Sequence, residues 1–82
     1  MNRIKVEGKH KDHQILMYAI STCNWCRMTK QFLRDLGVEY EYVDVDLASK
    51  GDQELIKQHI QRHGGDLRYP TIIIDDKILI TG

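Results

Sequence analysis

Two cysteines, the only ones in the chain, stand as Cys23-Asn24-Trp25-Cys26. Thiolate, not thiol, is the nucleophile and the metal ligand. A gap of two residues lets both sulfurs meet across one helical turn, so a disulfide can form with little backbone movement. The residues before the pair read as a strand and those after it as a helix, which puts Cys23 at a helix mouth. Unpaired backbone N–H groups and the positive end of the helix dipole face it there and favour the thiolate. Cys23 is therefore expected to attack, and Cys26, one turn inside and better buried, to resolve the resulting mixed disulfide. Such exchange requires no metal and no organic cofactor.

Other chemistries compete for the same residues. Two cysteines can be small core residues, but here both would have to fall together at a helix entrance. A zinc site is the sharper rival, because His59 and His63 have an H-x-x-x-H spacing suited to a metal. The gap from Cys26 to His59 is far longer than in a zinc finger, where it is ~12–15 residues. Those histidines are also expected on a helix that packs away from the cysteine mouth. Arg27, where a c-type haem motif has histidine, excludes haem attachment.

The single proline, in Tyr69-Pro70-Thr71, precedes a strand. Lacking an N–H, it suits a first strand position. With a cis bond it would turn the Tyr69 backbone towards the sulfurs and offer N–H and C=O groups to an extended chain. Alone, Pro70 reads as the trans end of a loop; beside Cys-x-x-C the cis reading prevails. Trp25, between the cysteines, is expected to be exposed and to supply aromatic contact area to a substrate. Arg27 and Lys30 add positive potential near the thiolate or simply make a solvated helix face.

The elements that must position these residues alternate. Arg3 to Glu7 reads as a short edge strand, Gly8 to His13 as a polar turn with His10 and His13 solvated, and Gln14 to Ile20 as a strand covered on both faces. From Asn24 to Leu36 the period is helical, with Trp25, Met28, Phe32, Leu33 and Leu36 on one side and Gly37 as the stop. Val38 to Leu47 returns to strand, where Tyr40 and Tyr42 fit β propensity and Glu39, Glu41, Asp44 and Asp46 are outer-face or strand-end charges. Ser49 to Asp52 caps a second helix with the stripe Leu55, Ile56 and Ile60, ended by Gly64-Gly65. Thr71 to Ile74 and Ile78 to Thr81 form a hairpin around Asp75-Asp76-Lys77. The order is β-α-β-α-β-β, an α/β mixed sheet with helices packed on it: a parallel pair joined by a right-handed crossover, then an antiparallel hairpin.

Bulk properties narrow the class. With 82 residues there is room for one domain, expected to span the whole chain. Twelve basic and twelve acidic residues cancel, so neither nucleic acid nor an anionic membrane is an expected partner. The apolar run from Ile15 to Ile20 is too short to span a bilayer, and no cleavage site follows it. A cytoplasmic address is the expectation, and a reducing compartment favours redox or metal chemistry over a structural disulfide.

From Gln14 to Gly82 the chain resembles the glutaredoxins of the thioredoxin superfamily. The resemblance rests on Ser21-Thr22-Cys23-Asn24-Trp25-Cys26, the helix to Leu36, Val43-Asp44-Val45-Asp46, Tyr69-Pro70-Thr71-Ile72-Ile73-Ile74 and Gly82. It implies a thioredoxin-like fold, Cys23 as nucleophile, Cys26 as resolver, and Tyr69, Pro70 and Thr71 as a substrate-facing wall. The partners implied are disulfide-containing proteins and an electron source, either glutathione or a reductase. Glutathione-using members carry Pro-Tyr between the cysteines and a basic residue just before them. Here stand Asn24-Trp25 and the uncharged Ile20, Ser21 and Thr22, with Arg68 left as a candidate carboxylate contact. The pattern is also similar to the glutaredoxin-like redoxins that supply electrons to ribonucleotide reductase and are recharged by a reductase. A scaffold holding an iron–sulfur cluster or zinc through Cys23 is the alternative from another class, although Cys26 and the bulky Trp25 argue against it. Family members continue past Gly82 into a final helix, missing here. Either the sequence is part of a longer chain, or that face is covered by something else. The expected state is a monomer, with a dimer if the sheet is left uncovered.

Overall fold

The computed structural model describes residues 1–81; Gly82, part of the resemblance above, lies outside them. Five strands and two α-helices follow one another as β1 (Ile4–Val6), β2 (Ile15–Ala19), α1 (Asn24–Asp35), β3 (Tyr40–Asp44), α2 (Lys50–Arg62), β4 (Thr71–Ile74) and β5 (Ile78–Thr81). The strands form one sheet in the order β1-β3-β2-β4-β5. β2 and β3 run parallel, and every other neighbouring pair is antiparallel. This is the mixed sheet expected from the sequence, with β1 as the edge strand.

β2 lies at the centre because it is apolar on both faces. Leu16 and Tyr18 point into a cluster with Val43, Val45, Ile56, Ile60 and Ile73, on the side of α2. Met17 and Ala19 point the other way, into a cluster with Cys26, Leu33 and Tyr40, on the side of α1. Alternate residues of a strand face opposite sides, so one pentapeptide anchors both layers. Cys26 is thus part of the core beneath α1.

Several boundaries differ from the sequence reading. The third strand stops at Asp44, and Val45–Leu47 form a 3₁₀ turn. Only Cys26 and Leu33 of α1 are buried; Met28, Phe32 and Leu36 are each more than half exposed, and Trp25 is exposed as expected. In α2, Ile56 and Ile60 are fully buried while Leu55 is exposed. The segment from Gly8 to His13 is stitched down and not merely solvated. His10 donates its N–H to Gly37 O (3.0 Å), and its carbonyl accepts from Glu39 N–H (2.9 Å). Gly8 makes that closeness possible, since a Cβ there would lie 2.6 Å from Gly37 O. Gly37 itself ends α1 with φ of 71°, the left-handed geometry glycine adopts without cost from a Cβ.

The hairpin between β4 and β5 turns on Asp75 and Asp76, both at positive φ (54° and 53°), with Lys77 N–H donating to Ile74 O (3.0 Å). Two left-handed residues define a type I′ turn, which matches the twist of the flanking strands. Aspartate tolerates this region better than most side chains. Among the described residues no helix is long and apolar enough to cross a membrane.

Candidate active site

β2 delivers the chain to the end of the sheet, and Ile20 to Thr22 turn it into α1. Cys23 N–H donates back to Ile20 O (3.1 Å), which closes the turn. Cys23 is the N-cap of α1: its backbone is extended, and its Sγ accepts from the Cys26 N–H at 3.1 Å. An N-cap ordinarily offers an oxygen to the second or third N–H of the helix; here a sulfur takes that part. The sulfur of Cys23 is thereby lodged against a donor that a thiolate rewards more than a thiol.

The two thiols are pushed in opposite directions. Cys23 is drawn below the ordinary thiol value, first by hydrogen bonding from the Cys26 side chain, then by the Cys26 and Trp25 backbone N–H groups, with Lys30 adding a smaller attraction. Cys26 is pushed up to about 11, first by burial and then by its hydrogen bond to Cys23. Cys26 is 1% exposed, whereas Cys23 is partly open to solvent. One cysteine is poised to be charged and reachable, the other neutral and enclosed. Both stand as free thiols.

Lys30 also has other partners. Its Nζ lies 3.2 Å from Asp44 Oδ1 and 3.9 Å from the Tyr42 ring centroid, a cation–π contact. Arg27 is exposed.

The loop that presents Cys23 has a clamp that sequence reasoning passed over. Asp46, in the 3₁₀ turn after β3, accepts from the Ser21 N–H (2.9 Å) and from the Ser21 hydroxyl. Those bonds hold its carboxyl below the usual range. From the sequence, Asp46 is one more strand-end charge. Only the end of β3 at Asp44 swings it over the cysteine loop, and no local sequence signal announces that.

The Tyr69–Pro70 peptide bond is cis. β4 starts directly after it, with Thr71 paired to Tyr18, so Pro70 falls beside the end of β2 from which the cysteine loop departs. Tyr69 packs against the same cluster as Cys23 and Cys26. Pro70 and Thr71 are fully buried, and the Thr71 hydroxyl donates to Arg68 O. Thr71 is enclosed on all sides, its backbone between Tyr18 of β2 and Thr81 of β5 and its hydroxyl spent on the loop before it. Trp25 is 58% exposed on the first turn of α1, and Arg68 is exposed. His59 lies on α2 and His63 caps its C-terminus; the buried residues of that helix belong to the cluster on the other face of the sheet from Cys26.

A strand-to-helix Cys-x-x-C facing a cis-proline, on a mixed sheet with a helix on each face, defines a thioredoxin-like dithiol protein. Comparison with known proteins narrows the class. Residues 15–79 match the family model described as Glutaredoxin, and the chain belongs to that family. It is 33% identical over 64 residues to glutaredoxin 1 of Rickettsia conorii, covering 78% of this chain and 60% of that one. It is 29% identical over 66 residues to an uncharacterised glutaredoxin-like 8.6 kDa protein of the rubredoxin operon of Clostridium pasteurianum, covering 80% of this chain and 81% of that one. Among solved structures, the glutaredoxin of Methanosarcina mazei Go1 superposes with a TM-score of 0.89 at 35% identity, covering all of this chain and 79% of that one. Methanoredoxin of Methanosarcina acetivorans gives 0.84 at 39% identity, covering 92% and 78%. The chain spans 60% of the Rickettsia protein and 42% of human mitochondrial glutaredoxin-2.

Proposed function

We propose that the protein reduces protein disulfides by dithiol exchange through Cys23 and Cys26. The observation that carries this reading is the Cys23 sulfur capping α1 at 3.1 Å from the Cys26 N–H, with Cys26 enclosed behind it. In the first step the Cys23 thiolate attacks one sulfur of a substrate disulfide, and the other substrate sulfur leaves as a thiolate. In the second, Cys26 gives up its proton and attacks Cys23 Sγ. The substrate then departs with both sulfurs reduced, and an internal Cys23–Cys26 disulfide remains. Two electrons have moved, and a donor must return them.

The backbone of Tyr69 at the cis-proline is suited to pair with an extended substrate, while exposed Trp25 offers it an aromatic surface. Pro70 and Thr71 shape this wall from within. Recharging by a reductase fits better than recharging by glutathione. The loop before Cys23 carries no basic side chain, and the carboxylate it does hold, that of Asp46 on Ser21, repels the carboxylates of glutathione. Ribonucleotide reductase is one such disulfide target, and the reading places the protein as a monomeric reductant in the reducing cytoplasm.

Titration of the cysteine pair in graded glutathione buffers, with thiol trapping and intact-mass readout, tests this. The expected result is a two-electron transition to an internal disulfide, near the thioredoxin value of about −270 mV. A less negative midpoint with a lasting glutathione adduct on Cys23 would assign glutathione as the donor. Failure to form an internal disulfide at any poise would overturn the exchange mechanism. Colour in the anaerobically purified protein would then favour a cluster held through Cys23.

A further inference from the structure

Away from the cysteines, the tip of the last hairpin meets α2 through a second set of chemically capable side chains. His59 lies on the last turn of α2 and His63, four residues on, is its C-cap, so their rings come to the same side, and their centroids are 5.1 Å apart. The Nε2 of each sits 2.9 Å from the same carboxylate oxygen, Oδ1 of Asp76. The two histidine side chains are only 18% and 15% exposed, while that of Asp76 is 71% exposed. Donor atoms from all three residues fall within 4.8 Å of one another.

We propose that His59, His63 and Asp76 form a binding site for a divalent transition cation of the zinc type, which fastens the β4–β5 hairpin to α2. Two imidazoles and a carboxylate are a donor set zinc accepts, with metal–ligand distances of about 2.0–2.2 Å. Tetrahedral ligands at that range stand about 3.3 Å apart, so the two 2.9 Å separations to Asp76 need to open slightly, while the third separation lies within 4.8 Å. The exposed Asp76 can make that shift at little cost.

Two further features fit a metal site better than a chance cluster. Buried Tyr18 places its hydroxyl 2.7 Å from His59 Nδ1. Metal-ligating histidines commonly have the far ring nitrogen held by such a partner, which fixes ring orientation and tautomer. A tyrosine hydroxyl can donate or accept. It therefore serves His59 both when Nε2–H bonds Asp76 and when Nε2 is a bare ligand with the proton on Nδ1. Secondly, an open cavity of about 270 Å³, lined by Arg3, Gln14 and Leu16 among others, borders His59 and Asp76. It leaves room for water to complete the coordination. The Arg3 guanidinium in that wall is drawn off towards Glu41, at 3.9 Å. The left-handed turn at Asp75-Asp76 acquires a use as well: it lifts the Asp76 carboxylate over α2, while Asp75 is tied to Gln14 N–H (2.8 Å) and His13 (2.7 Å).

The test is isothermal titration of zinc chloride into the full chain carrying Cys23→Ser and Cys26→Ser, so that thiolate binding cannot contribute. Its outcome is thereby independent of the exchange mechanism. One equivalent is expected to bind, with the imidazole nitrogen signals of His59 and His63 showing Nε2 ligation and a proton on Nδ1. Adding His63→Gln or Asp76→Asn, which preserve size and hydrogen bonding, should weaken binding at least about tenfold. Tyr18→Phe should weaken it about 10–100-fold, the range for loss of an outer-shell partner, and broaden the His59 signals. His10→Ala should change nothing. Binding that survives both His63→Gln and Asp76→Asn would put the ion elsewhere and overturn the proposal. So would the absence of binding at millimolar zinc, which would leave the cluster as a hydrogen-bonded triad.

Discussion

At the scale of single residues, the two cysteines are chemically alike in sequence and made unlike by position. Cys23 gains donors as the N-cap of α1, whereas Cys26, three residues on, loses solvent. The expected consequences separate cleanly. Cys23→Ser should abolish exchange, and Cys26→Ser should leave a mixed disulfide that accumulates on Cys23, visible by intact mass with a disulfide peptide. Alkylation rates followed against pH should show Cys23 reacting with a midpoint below that of a free thiol, because its thiolate is favoured. Cys26 should stay unreactive until the pH nears 11, where burial no longer holds its proton. Asp46 acts on the same chemistry at one remove, through Ser21. Asp46→Ala frees the loop carrying Cys23 and should slow exchange on the order of tenfold, since small misplacements of a reacting group are costly. Because bonding to Ser21 lowers the Asp46 carboxyl, its support for the fold exists above the ordinary carboxylate range. That support is lost as the pH falls through the lowered value. An unfolding series from pH 7 downwards should show this slope in the native chain and a smaller one in Asp46→Ala.

At the scale of elements, what could be read from the sequence was what depends on local pattern. The Cys-x-x-C at a strand–helix junction, the stop at Gly37, the Ser49 cap and the turn at Asp75-Asp76 are all set by neighbouring residues. So is β2, whose short apolar run suits a strand covered on both sides. Periodicity failed where it had to say what lies opposite a face. Met28, Phe32 and Leu36 keep helical spacing, yet they are exposed, because spacing marks a stripe and says nothing of its cover. Leu55 neighbours Ile56 in the sequence but lies off the line joining Ile56 to Ile60. The end of β3 at Asp44 was equally hidden, since Val45 and Leu47 are good strand residues and the 3₁₀ turn is imposed by the docking of α2. The Gln53 side-chain amide donates to the carbonyls of Val45 (3.0 Å) and Ala48 (3.2 Å), a tie from α2 back to the turn that strand propensity does not register. Stability should follow burial and not hydrophobicity. Ile60→Ala should cost about 2–5 kcal/mol, as for other buried large-to-small changes. Leu55→Ala and Phe32→Gln should stay within about 0.5 kcal/mol of the native chain. Urea unfolding of the three variants measures the contrast, and a large loss in Phe32→Gln would mean that the α1 stripe is covered in solution.

At the scale of the whole molecule, the redox couple and the fold are linked through protons, and the link predicts how stability depends on pH in each oxidation state. In the reduced protein, Cys23 loses its proton at a lower pH when folded than when unfolded. Between that lowered value and the ordinary thiol value of about 8.5, the unfolded chain therefore holds more protons than the folded one, and stability rises with pH. Cys26 has the opposite sign. From about 8.5 up to its folded value of about 11, the folded chain holds the extra proton, and stability falls as pH rises. Groups other than the thiols also contribute to the pH dependence, so the reduced protein alone would not isolate the thiols. The oxidised protein contains every other group but neither thiol. Denaturant unfolding of both forms at matched pH should therefore give a reduced-minus-oxidised stability difference that climbs, peaks near the ordinary thiol value and declines towards pH 11. A monotonic rise would mean that Cys26 is not held neutral by burial, and a monotonic fall that Cys23 gains nothing from the helix it caps. The same proton linkage requires the midpoint potential of the pair to change its slope with pH where Cys23 titrates in the folded protein, so the redox titration and the unfolding series must locate one and the same pKa.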